Sequence, residues 1–163
     1  MTLILKNKET IILKEFIFKC CIGKKGISLD KIEGDKKTPK GIFTLGNLYY
    51  REDRQKKPIT RLKTIPIKKE MGWCDDSKNK SYNKLIKVSK KIKHEKMFRG
   101  DDKYDFLIPI NYNTNKPKKN KGSAIFIHLT KNYKKTLGCI ALKKKDFLIL
   151  LKLINKNTKI KIC

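Results

Sequence analysis

The chain has 163 residues, with 42 lysines and arginines against 15 acidic residues, a formal net charge of +27. This length is enough for one domain with a proper core, and the 39% of hydrophobic residues fits a folded protein. The charge suggests a nucleic-acid partner, but the lysines are scattered and arginines are few, as in an AT-rich coding bias, so no nucleic-acid binding is expected.

Short apolar runs separated by glycine, proline and polar residues predict many short strands. These strands are expected at residues 2–5, 10–22, 42–45, 84–88, 104–112 and 124–127, in the apolar run from 140, and at 158–162. Loops are predicted over 23–41 and 113–121, and a hairpin with a loop over 47–69. Only residues 143–155 are typical of a helix with one apolar face. We therefore predict a single domain, 1–163, that is mainly β, a sandwich or barrel with one helix packed on it near the C-terminal end.

Cysteine and histidine spacing argues against metal or disulfide chemistry. The five cysteines form no Cys-x-x-Cys pair, and the two histidines lack the spacing of metal ligands, so we expect no metal and no cofactor. Three cysteines (Cys20, Cys21, Cys74) are expected in or near the core and Cys163 at the chain end, while His94 is expected to be solvated. Neither a transmembrane segment nor a signal peptide is recognisable. The glycine spacing of the 23–41 loop matches no nucleotide-binding fingerprint.

A histidine and a cysteine lie close together in the second half of the sequence. The apolar run 124–127 leads to His128, and Thr136 and Gly138 precede Cys139. If the two segments pair, imidazole and thiol lie at neighbouring strand ends, and we expect the pKa of the thiol to fall below that of a free cysteine. The amides of Gly138 and Cys139 could form an oxyanion hole. The structural alternative is a buried cysteine that serves only as a small hydrophobic residue.

These residues resemble the L,D-transpeptidase catalytic domain, the YkuD-like family, and the likeness covers nearly the whole chain. The matching stretches are Gly23 to Phe43 with its Thr-Pro-x-Gly-x-Phe, Gly72 to Asp76, Tyr82-Asn83, Gly122 to Phe126, His128, and Thr136 to Cys139.

The resemblance implies a β-rich enzyme that acts on peptidoglycan stem peptides and is open to inhibition by carbapenems. Cys139 would be the nucleophile that forms a thioester, His128 the general base and acid, Gly138 part of the oxyanion site, and Thr136 a supporting residue. A substrate-binding role would fall to Trp73, Asp75, Tyr82 and Ser123. The family works in the cell envelope, whereas this sequence shows no signal peptide.

Two positions depart from the pattern of the best-known members. Leu129 replaces the glycine that usually follows the histidine, and Ala141 replaces an arginine two residues after the cysteine. Lys134 or Lys135 would be candidates for the missing charge. The choice among cross-linking, hydrolysis as an L,D-carboxypeptidase or amidase, and protein attachment stays open. The alternative from another class is a basic nucleic-acid-binding protein with a structural Cys139.

Overall fold

The computed structural model describes residues 1–163 and consists mainly of short strands. In chain order they are β1 (Thr2–Asn7), β2 (Thr10–Leu13), β3 (Phe16–Cys21), β4 (Ile27–Ser28), β5 (Thr38–Pro39), β6 (Gly41–Thr44), β7 (Leu48–Tyr50), β8 (Thr64–Pro66), β9 (Met71–Cys74), β10 (Leu85–Lys87), β11 (His94–Lys96), β12 (Phe106–Pro109), β13 (Phe126–Leu129), β14 (Ile140–Leu142) and β15 (Lys159–Ile162). The helix α1 (Lys144–Leu153) lies between β14 and β15. The predicted mainly β fold with one helix near the C-terminal end is confirmed.

Ten strands form one curled sheet in the order β6-β15-β1-β2-β3-β14-β13-β12-β7-β8. Six of the nine neighbouring pairs are antiparallel, and three are parallel: β13 with β14, β15 with β1, and β7 with β8. A separate three-stranded sheet has the order β10-β9-β11, and β4 pairs with β5.

The structure corrects two of the predicted strand assignments in the first half of the chain. The strand predicted over 10–22 is two strands, because the backbone turns at Lys14 (φ 52°) and pairs Thr10 with Lys19. The hairpin predicted within 47–69 is wrong, since β7 and β8 run parallel, with Leu48 opposite Thr64. Short lysine-rich segments carry little periodicity, so their pairing depends on partners elsewhere in the chain.

Further corrections concern the region around the predicted site. The strand predicted over 104–112 is confined to β12, and His94 is half-buried within β11 rather than solvated. The run 124–127 gives a strand that begins two residues later, so His128 lies inside β13. The predicted helix is confirmed with slightly shorter bounds; Phe147, Leu150 and Leu151 form its buried stripe at helical spacing.

The central strands are buried on both faces, and each face contributes to a different core. Ile127 and Leu129 point into the main core of 25 buried residues, which also holds the apolar stripe of α1. Phe126 belongs to a second cluster of eight buried residues together with Trp73, Tyr104 and Cys139. Because side chains alternate along a strand, Phe126 and His128 share this second face.

The five cysteines are free thiols. Cys20, Cys21 and Cys74 are buried and Cys163 is exposed, as predicted. No helix has both the length and the apolar character needed to span a bilayer.

Candidate active site

The parallel pairing of β13 with β14 brings the predicted histidine and cysteine to the same face of the large sheet. Ile140 lies opposite Ile127 and Ala141 opposite His128, so Cys139 enters β14 beside Phe126. Phe126 and His128 are two residues apart and point to one side. Cys139 and His128 are therefore diagonal neighbours on adjacent strands, although no hydrogen bond joins them in this structure.

The thiol of Cys139 is held by the backbone that leads into β13. Its Sγ accepts from the amide of Phe126 at 3.4 Å and donates to the carbonyl of Ala124 at 3.3 Å, and the residue is only 9% exposed. Burial is the largest cause that raises the pKa of the thiol to about 12, and it outweighs the amide contact, which lowers the pKa. The expectation of a thiol pKa below that of free cysteine is thus wrong for the resting protein, because desolvation outweighs the neighbouring groups.

The His128 ring is oriented by its own strand. Its Nδ1 lies 2.9 Å from the carbonyl oxygen of Leu129, and a carbonyl can only accept, so Nδ1 carries the proton. The other ring nitrogen, Nε2, is then an unprotonated acceptor. Burial is the largest cause that lowers the pKa of the imidazole to about 4; the bond to Leu129 opposes this shift, and the nearby charges of Lys103 and Arg99 contribute to it. His128 is therefore neutral at pH 7.

The turn before Cys139 is fixed by two threonines. Thr136 Oγ1 donates to the carbonyl of Cys139 at 2.6 Å and accepts from the amide of Gly138 at 3.1 Å. The buried Thr38 Oγ1 accepts from the amide of Gly23 at 3.0 Å and donates to the carbonyl of Gly138 at 2.8 Å. The loop that carries the Thr-Pro-x-Gly-x-Phe stretch thus supports the residue next to the cysteine.

Gly138 is required at its position for two reasons. Its φ of +143° lies in the region that favours glycine, and a Cβ there would lie 2.9 Å from the carbonyl oxygen of Lys37. Since the Gly138 amide already donates to Thr136, the donor that remains unpaired beside the thiol is the amide of Cys139.

Aromatic rings surround the pair. The ring of Tyr104 meets the His128 imidazole edge to face at 5.4 Å between centroids. Tyr104 also meets the ring of Phe126 edge to face, at 5.8 Å between centroids. The ring of Trp73 also packs edge to face with that of Phe126, at 5.2 Å between centroids. Trp73 and Tyr104 are buried components of the second core, so the substrate-binding role predicted for Trp73 stays a prediction.

Tyr82 and Ser123 meet at a carboxylate. Both hydroxyls donate to Glu33 Oε2, that of Ser123 at 2.7 Å, and the amide of Gly122 donates to the Tyr82 hydroxyl at 3.1 Å. Burial and the bond to Glu33 raise the pKa of Tyr82, which keeps it protonated as a donor. This network anchors the segment that leads to His128.

Asn83 has a supporting role that the sequence does not reveal. It adopts φ 58°, and its Oδ1 accepts from the Trp73 indole at 2.9 Å and from the amide of Ala124 at 3.0 Å. Its amide group donates to the carbonyls of Tyr112 and Asn113 at 2.9 and 2.8 Å. Its place directly after Tyr82 in a matching stretch is the one available signal.

Asp75 lies close to this network but outside it. Its Oδ1 is buried without a hydrogen-bond partner, and its Oδ2 lies 3.9 Å from the ammonium of Lys93. Burial raises the pKa of this carboxyl. A buried polar atom without a partner is available to a ligand, and the substrate-binding role of Asp75 stays a prediction.

Fold and site define a mainly β domain in which a buried cysteine and a neutral histidine lie on adjacent parallel strands. A family model described as the L,D-transpeptidase catalytic domain (YkuD) matches residues 1–162. The chain belongs to this family, whose members are L,D-transpeptidases acting on peptidoglycan peptides. No curated protein matches the chain.

Proposed function

We propose that this protein is a cysteine-dependent L,D-transpeptidase that forms a thioester at Cys139 with a peptidoglycan stem peptide. The observation that carries the proposal is the parallel pairing of β13 and β14, which puts Cys139 and a neutral His128 on one face. With Nδ1 bound to a carbonyl, Nε2 of His128 is the lone-pair acceptor that a general base requires.

In the resting protein both partners are uncharged, so the sulfur loses its proton only as it attacks. The S–C bond forms at the carbonyl before the terminal D-amino acid, the proton passes to Nε2 of His128, and the carbonyl π electrons move to oxygen. The unpaired amide of Cys139 lies beside the sulfur and would donate to that oxyanion.

Collapse of this intermediate breaks the C–N bond, and His128 returns its proton to the leaving amine. A thioester remains on Cys139. An amine of a second stem then attacks the thioester carbonyl, gives its proton to His128, and expels the thiolate, which takes that proton back from His128. With water as the acceptor, the same steps give hydrolysis and a shortened stem.

The test is the intact mass of the protein after incubation with a carbapenem, whose β-lactam mimics an acyl donor. We expect one stable adduct on the wild type and on Cys163→Ser, which removes the exposed thiol, and none on Cys139→Ala. His128→Asn is expected to acylate at least about a hundredfold more slowly, the range of general-base effects. An adduct that persists in Cys139→Ala would contradict the proposal.

A second experiment identifies the acceptor. The protein is incubated with purified tetrapeptide muropeptides, and the products are separated by mass. Release of the terminal D-amino acid with cross-linked dimers indicates transpeptidation, and release with tripeptides alone indicates the L,D-carboxypeptidase alternative. Absence of both release and carbapenem adduct would refute the enzymatic proposal.

A further inference from the structure

A buried lysine lies against both backbone segments that hold Cys139. Lys31 is 3% exposed, and its Cε would lie 2.8 Å from a Cβ built on Gly122, so its stem covers that glycine. Its Nζ would lie 3.6 Å from a Cβ built on Gly138, the residue before the nucleophile. Lysine is rarely buried to this degree, because the loss of hydration is costly.

The positive charge of Lys31 is only partly neutralised by its surroundings. Its Nζ donates to Asp35 Oδ1 at 2.7 Å and to no other group, which leaves two N–H donors free. The same carboxylate also accepts from the amides of Ile32 and Lys37, each at 2.9 Å. Asp35 therefore divides its charge among three donors.

The groups around Cys139 differ in their effect on a negative charge at the sulfur. From β11, Glu95 opposes the thiolate, although it pairs with Arg99 at 3.2 Å and accepts from the Tyr104 hydroxyl at 3.0 Å. From the 23–41 loop, Lys31 favours it. Lys103 and Arg99 act on His128, where their positive charges disfavour the imidazolium and the negative charge of Asp101 favours it.

We propose that the ammonium of Lys31 is the fixed charge that stabilises the anion formed at Cys139, first the thiolate and then the oxyanion of the acyl intermediate. For the oxyanion, this inference rests on the proposed function; for the thiolate, it does not. The site thereby has a cation although Ala141 stands where the best-known relatives carry arginine. Lys134 and Lys135, the candidates from sequence, are exposed to solvent.

The test is the rate at which iodoacetamide alkylates Cys139, followed at that residue by mass spectrometry between pH 6.5 and 9. In this reaction the thiolate displaces iodide, so the rate follows the thiolate fraction. We expect Lys31→Met to lower the rate at least about tenfold at every pH, the effect of losing one nearby opposite charge. Lys31→Arg should retain most of the rate. Lys40→Met removes an exposed charge near the same loop and should leave the rate unchanged.

A second variant predicts a change of opposite sign, which a purely structural role does not. Asp35→Asn leaves the Lys31 charge without its partner and should raise the alkylation rate. In the Lys31→Met background the same substitution should have no accelerating effect, because the charge through which it acts is gone. Thermal unfolding of each variant separates these effects from loss of the fold.

Equal rates in folded Lys31→Met and wild type, or an Asp35→Asn rate that falls, would overturn the inference. Its outcome is separable from that of the proposed function. Slower alkylation in Lys31→Met, with no carbapenem adduct on the wild type, would keep the charge role and refute the enzymatic proposal. Turnover of muropeptides by the wild type, together with an unchanged alkylation rate in Lys31→Met, would support the proposed function and overturn the charge role of Lys31.

Discussion

His128 makes the stability of this protein depend on pH in a window that the structure defines. Burial lowers the pKa of the folded imidazole from 6.5 to about 4. Between these values the unfolded chain binds a proton that the folded chain does not, so stability is lost as pH falls from 6.5 to 4. At ~1.4 kcal/mol for each tenfold change in proton affinity, the loss due to this residue is about 3 kcal/mol.

The assay is urea unfolding of the wild type and His128→Asn at several pH values from 7.5 to 4. The variant retains the shared effects of all carboxylates, so the difference between the two curves isolates the imidazole. We expect the free energy of unfolding of the wild type to fall by about 3 kcal/mol more than that of the variant over this range. Parallel curves would show that His128 titrates normally when folded and would refute its description as a desolvated neutral base.

Substitutions at three other positions test the supports of the site. Thr38→Val removes a buried hydroxyl that joins the amide of Gly23 to the carbonyl of Gly138; urea unfolding should show a loss of about 2–4 kcal/mol, and an unchanged stability would mean that the hydroxyl bonds contribute little. Gly138→Ala brings a Cβ within 2.9 Å of a backbone carbonyl oxygen and should slow carbapenem acylation by at least about tenfold, measured by intact mass; a normal rate would show that the turn relaxes freely. Asn83→Gly tolerates the positive φ but loses the bond to the Trp73 indole, so thermal unfolding should show a loss of stability of about 2 kcal/mol. Asn83→Ala should be less stable by about 1 kcal/mol more, because alanine is strained at this φ. Equal stability of the two variants would argue against that strain.

Local sequence patterns predict which residues form the helix and the strands better than they predict which strands pair with each other. The helix follows from the spacing of Phe147, Leu150 and Leu151, and most strands follow from apolar runs. The parallel partnership of β7 with β8 depends on residues 48 and 64, which no local pattern links. The turn at Lys14 cannot be predicted locally, because a lysine with positive φ gives no signal of the kind that glycine would give.

The candidate active site could likewise be predicted only in part from the sequence. Its motif residues could be picked out from sequence, and the structure sets Cys139 beside the strand of His128, as side-by-side pairing of the two segments predicts. The predicted direction of the shift in the thiol pKa is wrong, because burial depends on distant aromatic residues that sequence spacing does not locate. The role of Lys31 could not be predicted, since the sequence does not show which of its 42 basic residues is buried beside the cysteine.

The position of β15 has a consequence for how the chain reaches its native state. This strand lies between β6 and β1, pairing Ile160 with Phe43 on one side and with Leu3 on the other. Until it is in place, two strands at the far end of the sheet expose unpaired edges, which invite pairing with other chains. These contacts also span more than a hundred residues, a separation that slows folding. We therefore expect this part of the sheet to stay open during synthesis until β15 has been made, an interval that favours aggregation.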